Sequence, residues 1–246
     1  MILCHRIAVA EALAAILVLA TSLAAGAQVL SVQPVNIFLA PGQSATTLTV
    51  TNQGASKTAV QIRAYAWSQH GDDDKLAASE QVVVSPPIAM IDPGSSQVVR
   101  LILRLPPLGN DPEATYRILV DQIPPPAEPG IVHVVLRLSI PIFALPPTRT
   151  FPNVQFHVEV NAGQIYLTGM NTGLRHESIR EIELSTQDGR KFKSAPGLSP
   201  YILAGVTRRW NIIAQGSLPQ PGEILHLTAQ GIAGAIEEQV RVVSKQ

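Results

Sequence analysis

Three consecutive aspartates, Asp72, Asp73 and Asp74, offer carboxylates to a hard cation such as Ca²⁺. An EF-hand loop alternates its ligands and needs a glycine at its sixth position and a glutamate at its twelfth. The run has none of that spacing, and it lies between a stretch ending at Trp67 and another beginning near Gln81. We therefore predict a solvated hairpin tip at this point of the chain rather than a metal site.

The histidines offer equally little for catalysis or metal binding. After the N-terminal segment they occur singly, at positions 70, 133, 157, 176 and 226, with no HExxH or other close pair. The sequence also lacks a G-x-S-x-G elbow and the glycine loops that bind nucleotides, although a dispersed triad needs only to meet in space. We expect surface or half-buried histidines, no metal, no cofactor and no enzymatic activity.

A long apolar stretch, IVHVVLRLSIPIFALPP from Ile131 to Pro147, is the most distinctive part of the chain. Alternate residues are aliphatic, as in a strand with one apolar face. These are Val132, Val134, Leu136, Leu138, Ile140 and Ile142. Such a strand at an open sheet edge invites pairing with another chain, whereas in a central strand the same face is simply core.

The N-terminus indicates export. Arg6 precedes an apolar run from Ile7 to Leu23, and Ala25-Gly26-Ala27 is a typical signal-peptidase site, so we predict a signal peptide over 1–27. An uncleaved membrane anchor is the alternative. Cys4 is the only cysteine, so the mature chain would have no disulfide. Lys plus Arg equals Asp plus Glu at 18 each, which gives no basic field for nucleic acid or anionic lipid.

The remaining chain reads as all-β. Short alternating runs, such as those around Val60–Trp67 and Gln97–Leu103, are separated by Pro, Gly, Asn and Asp about every ten residues. The pattern resumes after Pro146-Pro147, a pair that suits an extended connector. We predict two β-sandwich domains, over 28–147 and 148–246.

The first domain resembles the PapD-like periplasmic pilus chaperones of the chaperone–usher pathway. The resemblance is carried by ordered segments, each weak alone: Asn36-Ile37-Phe38-Leu39, Thr47 to Asn52, Ala64-Tyr65-Ala66-Trp67, Ser85-Pro86-Pro87, Ile91-Asp92-Pro93-Gly94, Val98 to Leu101, Glu113 to Arg117 and Gln122 to Pro125. It implies two immunoglobulin-like domains in a boomerang arrangement. The second domain matches only in its pattern of short alternating runs and in its position along the chain.

The resemblance also implies a function. Such chaperones lend a donor strand to a pilus, fimbrial or spore-coat-type subunit that lacks its last strand, and then hand the subunit to an outer-membrane usher. The donor positions here are Val132, Val134, Leu136, Leu138 and Ile140. Self-association is one way in which the free protein could cover this strand, and its oligomeric state is left open. No membrane insertion is expected once the signal is cleaved.

The sequence departs from the family at the anchor for the subunit's terminal carboxylate. The two basic residues expected in the cleft between the domains fall on Asn36 and Pro141, which carry no charge. Arg117, on an adjacent strand, is the first substitute, because a guanidinium can hold a carboxylate with two hydrogen bonds. Arg137 is second and Arg149 third.

Family members tie their domains together with an acidic residue and an arginine. The acidic position falls on Glu113, but Leu145 occupies the position of the arginine.

Two other functions stay open. A structural pilin or adhesin would need an N-terminal extension of alternating aliphatics. A carbohydrate-binding module would need clustered aromatics, which make up only 4% of the chain.

Overall fold

The computed structural model describes residues 30–126, 129–130, 134–197, 199–213 and 216–244. The predicted signal peptide and Val132 lie outside these residues. The described chain forms strands joined by turns and loops, and none of it forms a helix long and apolar enough to cross a membrane.

The strands before the proline pair are β1 (Leu30–Gln33), β2 (Ile37–Leu39), β3 (Ala45–Asn52), β4 (Thr58–His70), β5 (Asp73–Ala78), β6 (Val82–Ser85), β7 (Ile88–Ile91), β8 (Ser96–Leu103), β9 (Ala114–Ile123) and β10 (Arg137–Ala144). Those after it are β11 (Val154–Asn161), β12 (Gln164–Asn171), β13 (Glu177–Ser178), β14 (Arg180–Ser185), β15 (Lys191–Ser194), β16 (Tyr201–Ile202), β17 (Thr207–Ile213), β18 (Ile224–Gln230) and β19 (Ala235–Ser244).

The first domain packs two sheets face to face. One has the strand order β1-β3-β8-β6, and the other has β2-β10-β9-β4-β5 with β7 also paired to β4. Alternate aliphatics point inward from both sheets, such as Leu48 and Val50 from β3 and Val60 and Ile62 from β4. Each such side chain contributes about 1.5–3 kcal/mol on full burial, so the core can hold the domain without a disulfide.

One edge of β10 is largely open. The strand pairs antiparallel with β9 over its whole length, but parallel with β2 only from Ile142 to Ala144. The Gln122 N–H donates to the Leu136 carbonyl, so in an antiparallel ladder the backbone groups of Arg137 and Ser139 point away from β9. Pro141 has the same parity, and its missing N–H therefore costs no bond to β9. Within the described residues, positions 137–141 have no strand on this side.

The main sheet of the second domain closes on itself. Its hydrogen-bonded path runs β11-β12-β17-β15-β14-β18-β19, and β19 returns to β11 in parallel at Val158–Val160. Trp210 and Phe192 are the largest side chains buried in its core. β13 and β16 form a separate pair. This sheet consequently has no free edge among the described strands.

An aromatic cluster joins the two domains. Phe143 from β10 is fully buried and packs with Trp67 from β4 and Leu203 from the second domain. The ring of His176 stacks on Phe143 at 3.5 Å between centroids, with 9° between the planes. His176 is only 1% exposed, so the expectation of a surface or half-buried histidine is wrong at this position. Its apolar ring face fits a flat aromatic partner.

Glu113 also forms hydrogen bonds between the two domains. One of its carboxylate oxygens lies 2.6 Å from both the backbone nitrogen and the Nδ1 of His176. The backbone N–H of Glu113 donates to the carbonyl of Leu174 at 3.0 Å. His176 therefore takes the place that the resemblance gives to an arginine at Leu145.

The acidic run differs from its prediction. The chain turns at Gly71, whose φ of +58° suits glycine, but Asp73 begins the strand β5 and is not part of a loop. Asp72 pairs with Arg209 at 2.7 Å and Asp74 with Arg208 at 3.0 Å, both on β17. The hairpin tip is thus docked on the second domain through Asp72 and Asp74, although all three aspartates are exposed, as predicted.

Candidate functional site

The open part of the long strand presents few large side chains to solvent. Val134 is 81% exposed and precedes β10, and Val135 is exposed as well. Neither belongs to a core cluster of the described residues. They form an apolar segment open to solvent immediately before β10.

The other predicted donor residues that the structure describes face inward. Leu136 and Leu138 are half-buried against the core of the first domain, and Ile140 is 3% exposed within it. The alternating face therefore passes from solvent at Val134 into the protein's own core at Ile140. A partner strand can meet Leu136 and Leu138 at the margin of that core, whereas Ile140 serves the core itself.

Arg137 is committed to a neighbouring carboxylate. Its Nε donates to Asp121, which also accepts a hydrogen bond from Arg63 at 2.5 Å. Burial alone raises the pKa of Asp121, and the bonds from Arg137 and Arg63 more than offset it, so this pKa lies below its ordinary value. The trio ties β10 to β9 and β4.

This trio predicts a pH dependence. Because the folded pKa of Asp121 is depressed, its stabilising effect is complete above the unfolded value, about 3.9, and is lost as pH falls through the folded value. We expect Asp121→Asn to lower the melting temperature at pH 7 but to differ less from wild type at pH 2.5. Thermal melts across that range check this, and a constant difference would count against the ion pairs.

Arg117 lies in a cleft between the domains. It is paired across the sheet with Pro141, so its side chain leaves the same face as the residue at the family's second basic position. The cleft has a volume of about 410 Å³. It is lined by Asp74, Leu76, Arg117, Ser139, Ser199, Pro200 and Tyr201.

The Arg117 guanidinium is desolvated but poorly hydrogen-bonded. Its side chain is 11% exposed, and its charged group sits 3.7 Å from the centre of the Trp67 ring. Burial lowers the pKa of Arg117, while the charge of Asp74 acts in the opposite direction. The nearest Asp74 oxygen is 3.7 Å away, beyond hydrogen-bond distance, and no other described residue accepts a bond from this group. The arrangement can take up a carboxylate from the cleft.

Among the described residues, the remaining predicted anchor positions supply no second cation to this cleft. Asn36 accepts a hydrogen bond from the Tyr201 hydroxyl at 2.9 Å. Arg149 is exposed at the joint between the domains, over the ring of Phe151, and it lines a different cleft. No group of His, Cys, Asp and Glu among the described residues could hold a metal ion.

Sequence reasoning missed Asp74 and Tyr201, which line the cleft, and Arg208, which holds Asp74 in place. Two of them come from the second domain, where the resemblance is only one of pattern and position. The spacing of residues along the chain gives no signal for a contact such as Arg208 to Asp74, which joins positions 134 apart.

Comparison with known proteins identifies the family of the first domain. A family model described as pili and flagellar-assembly chaperone, PapD N-terminal domain, matches residues 29–149. The chaperone protein FimB/FhaD of Bordetella pertussis is 31% identical over 105 residues, which is 40% of this chain and 41% of the relative. That match therefore spans about two fifths of the relative's length.

Solved structures share the fold over most of the chain. The CsuC–CsuE chaperone–tip adhesion subunit complex of Acinetobacter baumannii includes a chain matched with a TM-score of 0.63 at 21% identity, covering 89% of this chain and 100% of that one. The YadV chaperone matches with a TM-score of 0.61 at 17% identity, covering 86% and 98%. A structure of the Salmonella enterica SafA pilin with the SafB chaperone matches with a TM-score of 0.59 at 16% identity, covering 89% and 98%.

The fold is accordingly that of two immunoglobulin-like β-sandwich domains, while their boomerang arrangement stays a prediction. The family match falls on the domain that carries β10, Arg117 and the aromatic joint. Over residues 29–149, the chain belongs to the PapD family of pili and flagellar-assembly chaperones.

Proposed function

We propose that the protein is a periplasmic chaperone that stabilises pilus or fimbrial subunits by lending them the open edge of β10. The open edge is the observation that carries this proposal. Its unpaired backbone groups at Arg137 and Ser139 can bind an extended strand of a partner, which is recognition by strand addition.

The apolar contact supports the same function. A subunit that lacks one strand exposes a hydrophobic groove that would aggregate in water. Val134 with the half-buried Leu136 and Leu138 could cover such a groove. Each aliphatic side chain gains about 1.5–3 kcal/mol on burial, before the entropy of association is subtracted.

The subunit's terminal carboxylate is proposed to bind Arg117. The guanidinium faces a cleft beside Ser139 on β10, so one ligand could pair with the strand and reach this cation. Strand pairing alone leaves the partner's register free, and a fixed charge at the end of the strand would define it. Arg137 is the weaker candidate, since it already forms an ion pair with Asp121.

The predicted signal peptide supports a periplasmic location for this activity, and delivery to an outer-membrane usher completes the proposed role. Two of the similar structures contain a chaperone together with its tip subunit or pilin, one of them from a chaperone–usher system. Release would then proceed by exchange of one paired strand for another.

The main test is co-purification of the tagged protein from periplasm with pilin-like subunits encoded beside it. We expect Val134→Arg to reduce capture by about tenfold, because it removes apolar burial worth roughly 1.5 kcal/mol. Val98→Arg, which changes an exposed valine on the other sheet, is the matched control. Equal capture by both variants, or no captured subunit with wild type, would refute the role of β10.

A second test concerns the anchor. Arg117→Gln is expected to weaken capture by about tenfold, since one charge-assisted contact of about 1.5 kcal/mol or more is lost, while Arg137→Gln should have a smaller effect. Dissociation rates of the purified complex measure this, with thermal melts as a check on folding. The reverse ranking would move the anchor to Arg137.

A further inference from the structure

The cleft that holds Arg117 contains a carboxylate of its own. Oδ1 of Asp74 accepts hydrogen bonds from Gln69 at 2.9 Å and from Arg208 at 3.0 Å. Its other oxygen, Oδ2, faces Arg117 at 3.7 Å without forming a hydrogen bond. Asp74 is thus firmly held on one side and only loosely paired on the side of the cleft.

The charges around Asp74 are unevenly matched. Arg117 and Arg208 carry two positive charges, and Asp74 carries one negative charge. Arg208 is 6% exposed and directed at Asp74, so the surplus charge is on Arg117, which has the least hydrogen bonding and borders the cleft. An incoming carboxylate would neutralise this surplus, but it would have to bind close to Oδ2 of Asp74.

Resting on the anchor role proposed above, we propose that Asp74 is a specificity-determining residue that weakens the binding of free carboxylates at Arg117. Repulsion between Asp74 and an incoming carboxylate makes the cation alone a poor site. A ligand that also pairs with β10 gains enough elsewhere to bind. The cleft therefore discriminates against small acids and accepts a carboxylate at the end of an extended strand.

The position of Asp74 links this selectivity to the second domain. Asp74 lies on β5, but two contacts of its hairpin, Arg208 and the carbonyl of Tyr201 bound by Gln69, come from the second domain. Those contacts fix Oδ1 and leave Oδ2 pointing at Arg117. The second domain thus positions the competing carboxylate.

The experiment measures binding of N-acetyl-leucine, with N-acetyl-leucinamide as the neutral control, by NMR of the arginine side-chain N–H groups. The apolar lining at Leu76 and Pro200 suits a leucine side chain. We expect Asp74→Asn to bind the acid about tenfold more tightly than wild type, because one like charge near the ligand is removed at effective dielectric values typical of such sites. The gain should vanish in the double variant Asp74→Asn, Arg117→Gln.

Two matched variants distinguish a loss of selectivity at Asp74 from a general weakening of the hairpin's contacts with the second domain. Asp73→Asn removes the same charge from an exposed neighbour that pairs with Lys75, and it should leave binding unchanged. Asp72→Asn removes the hairpin's other ion pair to the second domain, at Arg209, and should not strengthen binding either.

Each outcome has a definite meaning. Tighter binding of the acid by Asp74→Asn alone supports the proposal. If Asp74→Asn binds the acid equally or more weakly while wild type binds it through Arg117, Asp74 only positions Arg117 and the selectivity proposal fails, with the anchor intact. If no variant prefers the acid to the amide, the cleft is not a carboxylate site, and the strand-edge function is then judged separately by co-purification.

Discussion

Replacing Phe143 with alanine is expected to lower the free energy of unfolding by about 3–5 kcal/mol, as for other fully buried aromatic side chains. The side chain is 0% exposed and touches both domains, through Trp67 on one side and the stacked ring of His176 on the other. Its removal leaves a cavity that neither domain can fill alone. The loss should separate one unfolding transition into two, because the contact that couples the domains is gone.

Urea unfolding followed by the fluorescence of Trp67 in the first domain and Trp210 in the second measures this directly. Phe38→Ala is the control, since Phe38 stacks on Phe143 at 5.5 Å but is half exposed. Phe38→Ala should lower the free energy of unfolding clearly less than Phe143→Ala does. A loss below about 1 kcal/mol for Phe143→Ala would mean that the two domains are not energetically coupled through this ring.

Glu113→Ala is expected to destabilise the protein by about 2–6 kcal/mol, since each buried donor left without an acceptor costs about 1–3 kcal/mol. The carboxylate takes hydrogen bonds from both the backbone nitrogen and the ring of His176, and both residues are buried.

Glu113→Gln separates the hydrogen bonds from the charge. Its amide oxygen can still accept from His176, so it should lose less stability than Glu113→Ala in thermal and urea unfolding. Equal losses for the two variants would show that the negative charge, and not the acceptor, is what the interface needs. Stability unchanged in both would refute the role of this contact.

The strand pattern predicted the architecture well because each strand needs only local information. The predicted runs Val60–Trp67 and Gln97–Leu103 fall within β4 and β8. β5 was missed, since Asp73-Asp74-Lys75 has no apolar alternation and is held in the sheet by pairing with β4 and by ion pairs. Tertiary contacts override local pattern at such an edge.

The limits at the site have a physical cause as well. Alternation identified one face of β10, but a period of two does not distinguish the protein's own core from a partner's groove, and Ile140 belongs to the former. Arg117 could be singled out because a family position was vacant beside it. Asp74 and His176 could not, because their roles depend on residues from the other domain.

The closed sheet of the second domain sets how many strands this protein can exchange. Apart from β10, the open strand edges of the first domain are short, as in β1 and β6, or are built from exposed residues that include charges, as in β5. Both features disfavour pairing with another chain. Among the described strands this leaves β10 for pairing, so in polymer terms the molecule is monofunctional, with one reactive end. A monofunctional unit terminates a chain of strand-paired subunits, so an excess of this protein would hold subunits as single capped units and shorten any fibre that they form.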